Sequence, residues 1–301
     1  MGRSRGKAVI LMWILRSRPG RCLGANLVLI EGYNRLEEDG VARQSDRRAS
    51  RAAVWSARLA KFALPVLAIT ALGHRFDLVD TPSALVLLAA CWLGALVSLI
   101  FGLSALRPIW RLGLAGTRRA LTGILVSVPI LAVPAYFLPL LIYNPRLTDV
   151  STDLLDPPAL EAAAALRPVD ANPITRPGVT AMRLQLAAYP QLRPLRVGVS
   201  IEDAFNAARA AVRDRGWRIV AERPPSEDGG PARIEAEART LLMAFKDDVV
   251  IRIRQEGGGT RIDIRSASRY GAHDLGTNAR RIQAFLFALR EQIAPTAGGE
   301  R

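Results

Sequence analysis

This 301-residue chain has only two histidines and two cysteines, too few for a zinc cluster or a disulfide framework. Cys22 and Cys91 both precede residue 144, so no disulfide can staple the second half. His273 is the only histidine after residue 143. It lies in no G-x-S-x-G context and beside no recognisable oxyanion loop, which leaves serine chemistry without its usual frame. No metal site and no cofactor are expected.

Long apolar runs are present. Residues 84–106 and 120–143 each reach the length that spans a hydrocarbon core, about 20 residues. Positive charge fixes their direction. Residues 1–61 hold thirteen Lys/Arg against five Asp/Glu, and 107–119 adds four arginines without an acid. The stretch 74–83 has only Arg75 against Asp77 and Asp80. Basic loops stay inside, which requires a further span before Ala84. Residues 59–73 supply it if Arg58 and Lys61 snorkel to the interface. Three spans, about 57–75, 84–106 and 120–143, then put everything after Tyr143 outside. A two-span hairpin is the alternative, and it would leave the basic N-terminus outside. No Asp, Glu or Lys lies deep in a span, so an ion path is not indicated. Pro65, Pro129, Pro134 and Pro139 fit kinked packing.

The net charge of +14 suggests nucleic acid until it is divided, because residues 144–301 hold 23 basic and 20 acidic groups. The excess is juxtamembrane, where it orients the chain and meets anionic headgroups; nucleic acid is not an expected partner. Residues 1–55 read as a disordered basic arm, or in part as a start codon placed too early. The apolar run 8–15 is too short to span and is followed by Arg16 and Arg18 instead of a cleavage site. Cys22 lacks a lipoprotein context.

Eight prolines between 144 and 199 mark an extended connector over a surface. It opens with Asp149, Asp153 and Asp156. Their spacing is not that of a calcium loop, and Asx-turns with the cap of an Ala-rich helix at 159–166 account for them. From Ser200 to about 295 a compact domain follows. Ile201, Ala204, Phe205, Ala208, Ala211 and Val212 share a helix face. Four segments then alternate with period two: around Ile219, across 232–240, around Ile251 and around Ile264. Gly257-Gly258-Gly259 suits a hairpin, and a last helix is expected over 275–293. The predicted fold is α+β: helix, four-stranded antiparallel sheet with one wet face, helix, in two layers, able to fold alone from residue 195. Residues 241–245 form an apolar turn between the second and third strands, a membrane or partner contact if exposed.

Before the last helix runs Arg265-Ser-Ala-Ser268-Arg269-Tyr-Gly271-Ala-His273-Asp274-Leu-Gly276-Thr-Asn278. With Gly216-Trp217, Phe245-Lys-Asp-Asp248 and the stretch 149–158, this resembles the uncharacterised bacterial and plastid domain-of-unknown-function family 1499. The resemblance covers about 145–293 and implies no established reaction. The preceding spans resemble membrane-anchored members from Gram-negative bacteria, which implies an inner-membrane protein with a periplasmic domain.

Two readings of the motif follow. In one, Asp274 caps the last helix, and Arg269 and Arg281 pair with Asp247, Asp248 or Asp274. In the other, Ser266, Ser268, Arg269, Asp274, Asn278 and Arg281 line an anion site at the helix start, with Asp247, Asp248, Asp149 and Asp153 as weaker candidates. The sequence leaves two functions open. A non-enzymatic envelope module would bind an anionic lipid, a glycan or an envelope protein. A periplasmic hydrolase acting on an envelope lipid or glycan would use Ser266 or Ser268 with Asp274 or His273. The lack of a catalytic frame favours the module.

Overall fold

A computed structural model describes residues 49–226 and 230–293. Most of the basic arm, with Cys22, falls outside the described residues. Among the described residues three helices are long and apolar enough to cross a membrane: α1 (Arg51–Arg75), α2 (Thr81–Leu112) and α3 (Thr117–Tyr143). Each starts before the expected span, and α1 and α2 do so because they continue to a polar N-cap. The Ser50 hydroxyl accepts from the Ala53 amide and starts α1 inside the presumed arm. The Asp80 carboxylate accepts from the Ser83 amide at 3.0 Å, and Gly113, in the left-handed region, ends α2.

The helices pack through small residues, which lets their backbones approach closely. Ala53, Ala60, Ala95, Ala105 and Ala120 are buried between them. Ser56 and Ser98 each donate to the other's backbone carbonyl at 2.8 Å. A Cβ on Gly123 would lie 1.8 Å from Ser56 Oγ. Gly123→Leu is therefore expected to separate α3 from α1. Cross-linking of cysteine pairs placed across the α1–α3 seam should fall sharply, whereas Gly94→Leu, where a Cβ meets open space, should leave it unchanged.

Beyond α3 come β1 (Asp149–Ser151), α4 (Ala162–Ala165), α5 (Val179–Ala188), β2 (Leu195–Val197), α6 (Ile201–Asp214), β3 (Arg218–Arg223), β4 (Ala232–Arg239), β5 (Lys246–Glu256), β6 (Gly259–Ser268) and α7 (Thr277–Ile293). The sheet has six strands where four were expected. Its order is β1-β6-β5-β4-β3, and β2 shares the outer edge of β6 with β1. Every pairing is antiparallel. Both added strands come from the proline-rich segment. At three residues each they are too short to show alternation, yet they satisfy an edge that would otherwise stand open. Gln185 of α5 does the same for β1, donating to the Ser151 carbonyl at 2.6 Å and accepting from its amide.

One sheet face carries the apolar core. Ile234, Val249, Ile251, Ile253, Ile262 and Ile264 pack with Phe205, Val212, Ile282, Phe285 and Leu289 of α6 and α7. Ser200 caps α6 through the Asp203 amide, as its position predicts. Gly257 and Gly258 take the positive φ angles of a two-residue hairpin.

The opposite face is not wet. Residues 153–175 lie across it, with Leu160 and Ala163 packed on Val250 and Ala267. The α4 helix is shorter than the 159–166 expected, and its amides are capped by Glu235 of the sheet instead of a neighbouring aspartate: the carboxylate accepts from Glu161 N and Ala163 N. Helix α7 starts after Leu275, not at it, because Leu275 and Gly276 both have positive φ.

Candidate functional site

Alternation in β5 and β6 sorts the motif's residues onto two faces. Asp247 is in register with Ser268, and Asp248 with Ala267. Asp247, Ser266 and Ser268 therefore project toward α7, while Asp248 projects the other way. Arg281 of α7 pairs with Asp247, and Arg269 pairs with Asp248. The two arginines expected to flank one anion thus lie on opposite sides of the sheet, each held by a carboxylate.

The helix-side cluster is a closed network. Ser266 Oγ donates to Asn278 Oδ1 at 2.7 Å. Asn278 Nδ2 donates to Ser268 Oγ at 2.9 Å and to the Thr148 carbonyl at 3.1 Å. Arg281 donates to Ser266 Oγ at 2.9 Å and to Asn278 Oδ1 at 2.6 Å. Asp274 accepts from Gly276 N and Asn278 N, both at 2.9 Å, and so caps α7. Burial pushes its carboxyl up, against the pull of those two amides. Ser266 and Asn278 are wholly buried. Ser266, Ser268, Asn278, Arg281 and Asp274 are thus spent on one another and on backbone groups, as buried polar groups require.

His273 belongs to a different contact. Its Nε2 donates to the Asn144 carbonyl at 3.1 Å, and its Nδ1 accepts from the Leu275 amide at 2.8 Å. The lone pair a general base would use is thereby engaged by the Leu275 amide and not by either serine.

The outer face carries a ladder of alternating charge. Asp248 binds Arg167 and Arg269, each at 2.7 Å. Glu237 takes Arg218 and Arg269 at 3.0 Å and Arg239 at 3.1 Å. Asp263 receives Arg252, Arg254 and Arg261. The covering segment adds the remaining partners. Asp153 reaches Arg252, Arg254 and Arg261, Asp156 reaches Arg252, and Asp149 grips Arg265 at 2.6 Å. Asp153 also accepts from the Leu155 and Asp156 amides, the Asx-turn its sequence suggests. The acidic stretch 149–156 is the clasp that holds the cover on the sheet. Among the described residues no group of three or more His, Cys, Asp or Glu is placed to hold a metal ion. A cleft of about 140 Å³ opens between α4 and β3–β4, lined by Glu161, Glu222 and Glu235 as well as Arg223 and Arg233, so its carboxylates outnumber its guanidiniums.

Sequence reading missed the contact between domain and membrane helices. The β4–β5 turn sits on the α1–α2 connection. Asp77 bridges Lys246 at 2.8 Å and Arg239 at 2.9 Å. Arg75 donates to the Leu241 carbonyl at 2.7 Å. His74 bonds the Met243 carbonyl and Thr81 Oγ1, and its ring lies 4.9 Å from Phe245. The Lys246 hydrogen bond holds the Asp77 carboxyl below its ordinary range against the opposing effect of burial, and Arg239 acts in the same direction as Lys246. Residue spacing carries no signal for this contact, because its halves are more than 160 positions apart.

Residues 149–289 match the family model described as "Protein of unknown function (DUF1499)", the family that the motif before α7 resembles. No curated protein is a significant match. Among solved structures, the crystal structure of CalU16 from Micromonospora echinospora is 14% identical, covers 33% of this chain and 80% of that chain, and has a TM-score of 0.20. A likeness that weak bears on neither fold nor function here.

Proposed function

We propose that this protein is a non-enzymatic module of the bacterial envelope, anchored in the inner membrane with its C-terminal domain on the periplasmic side. The observation that carries this reading is the mutual satisfaction of the motif. Ser266 and Ser268 are bonded to Asn278, and His273 serves Asn144 and Leu275. A serine nucleophile needs a base within hydrogen-bond reach. The motif's carboxylates and guanidiniums instead hold helix, sheet and cover together. The Lys/Arg asymmetry about the spans supports the orientation. The role that remains is presentation: a rigid domain held at the membrane surface for a lipid headgroup, a glycan or an envelope protein.

Two measurements test it. Alkaline phosphatase fused after Arg146 should be active, and fused between Arg111 and Arg118 inactive; the reverse pattern overturns the orientation. Purified protein should not react with a fluorophosphonate probe. Labelling that disappears in Ser266→Ala or Ser268→Ala would establish the hydrolase reading instead.

A further inference from the structure

The turn between β4 and β5 is built from Thr240-Leu-Leu-Met-Ala-Phe245, and its two leucines point away from the protein. Leu241 is 86% exposed and Leu242 69%. The turn is nonetheless fixed in shape. Thr240 N donates to the Phe245 carbonyl, Ala244 N to the Thr240 carbonyl and Phe245 N to Thr240 Oγ1. Ala244 is buried and takes a positive φ of 56°. A locally bonded turn that holds two adjacent leucines away from the protein is shaped for contact with an apolar partner.

Its position identifies one. Arg75, which donates to the Leu241 carbonyl, is the last residue of α1. The turn thus lies at the level where α1 leaves the apolar layer. Phe76 and Leu78 of the adjoining connection are 67% and 82% exposed. They continue a surface that already includes exposed Ile69 and Leu72 on α1, both within a helix apolar enough to be lipid-facing. Cations stand at the same level: Arg75 is exposed, and Arg239 and Lys246 gather around Asp77. Exposed apolar side chains beside a group of cations is the combination by which a surface element enters the headgroup–acyl boundary.

We infer that Leu241 and Leu242, with Phe76 and Leu78, insert into the outer boundary of the bilayer and form a fourth attachment of the domain to the membrane besides the three spans. The occupant of this surface is lipid. The inference rests on the proposed placement of the domain at the membrane face, and the test separates the two.

The experiment uses the full chain with Cys22 and Cys91 replaced by serine, reconstituted into vesicles of phosphatidylethanolamine and phosphatidylglycerol. Single cysteines at Leu241, Leu242 and Leu78, and a control at exposed Leu155 on the covering segment, carry an environment-sensitive fluorophore. These side chains are largely exposed, so the label leaves the packing intact. Shallow spin-labelled lipids should quench positions 241, 242 and 78 several-fold more than 155, and aqueous iodide should show the opposite order. Because the vesicles contain only lipid, no protein partner can provide the shielding. Quenching at 78 with iodide access at 241 and 242 overturns the inference and leaves the domain's placement standing. Lack of lipid quenching at 78 as well overturns both.

Discussion

Asp248→Ala should destabilise the domain formed by residues 144–293 by about 3–5 kcal/mol, the usual consequence of removing one member of a buried ion pair. Asp248 is wholly buried between Arg167 and Arg269. Without it Arg269 keeps only Glu237, and Arg167 keeps only the carbonyls of Asn172 and Ala267. Both guanidiniums would stay in a region where an unmatched charge is poorly solvated. Urea unfolding of the isolated domain measures the effect through its midpoint. A loss below about 1 kcal/mol, the range of surface pairs, would mean that water reaches the ladder. Arg269→Gln should act in the same direction.

The ladder also fixes a pH dependence. Burial alone would raise the Glu237 carboxyl, but the Arg218 hydrogen bond and the charge of Arg269 outweigh it and hold the group below its ordinary 4.5. A carboxylate depressed in the folded state binds fewer protons there than in the unfolded chain. Its contribution is complete above 4.5 and is lost as pH falls through the lower folded value. Glu237→Gln should therefore flatten the acid limb of the stability profile while lowering the plateau.

The second large effect concerns the cover. A fragment of residues 195–295 should fail to unfold cooperatively, whereas 144–295 should unfold in one transition. The shorter piece keeps every element that the sequence marks clearly, but it loses Leu147, Val150, Leu160 and Leu192, all buried in the complete domain. Burying such side chains stabilises by about 1.5–3 kcal/mol each. Their sum rivals the whole stability of a small domain, about 5–15 kcal/mol. The fragment would also leave the outer edge of β6 mostly unpaired. Sharp, reversible melting of 195–295 would show that β1 and the cover are accessory.

This contrast defines how much was legible in the sequence. Alternation of Ile251 and Ile253 with Arg252 and Arg254 specifies strand and face, because one-sided burial selects a period of two. It does not tell a solvated arginine from a paired one. Arg252 is read as wet, and the structure buries it against Asp263 and Asp156. The missing information lies a hundred residues upstream in Asp153 and Asp156, whose acidity is visible but whose targets are not. Asn278 and Arg281 share a helix face by their spacing of three, and they meet Ser266 and Ser268 of the strand as bonded partners. Arg269 was grouped with them because it is close in sequence, although it emerges on the other face. The membrane spans were legible because twenty apolar residues have few other uses. The small-residue seam of Ala53, Ser56 and Gly123 was not, since Ala, Ser and Gly are common in any helix.

The register of β1 has a consequence for biosynthesis. Asp149 comes soon after the end of α3 at Tyr143, yet the Arg265 it clasps lies 116 residues later. The strand must wait, unpaired, until nearly the whole chain has been delivered. Contacts so distant in sequence form late, because the loop must close before they contribute. Between synthesis of Asp149 and synthesis of β6, the β1 segment has no strand to pair with. Completion of the domain is thereby timed to the synthesis of β6 by strand order alone.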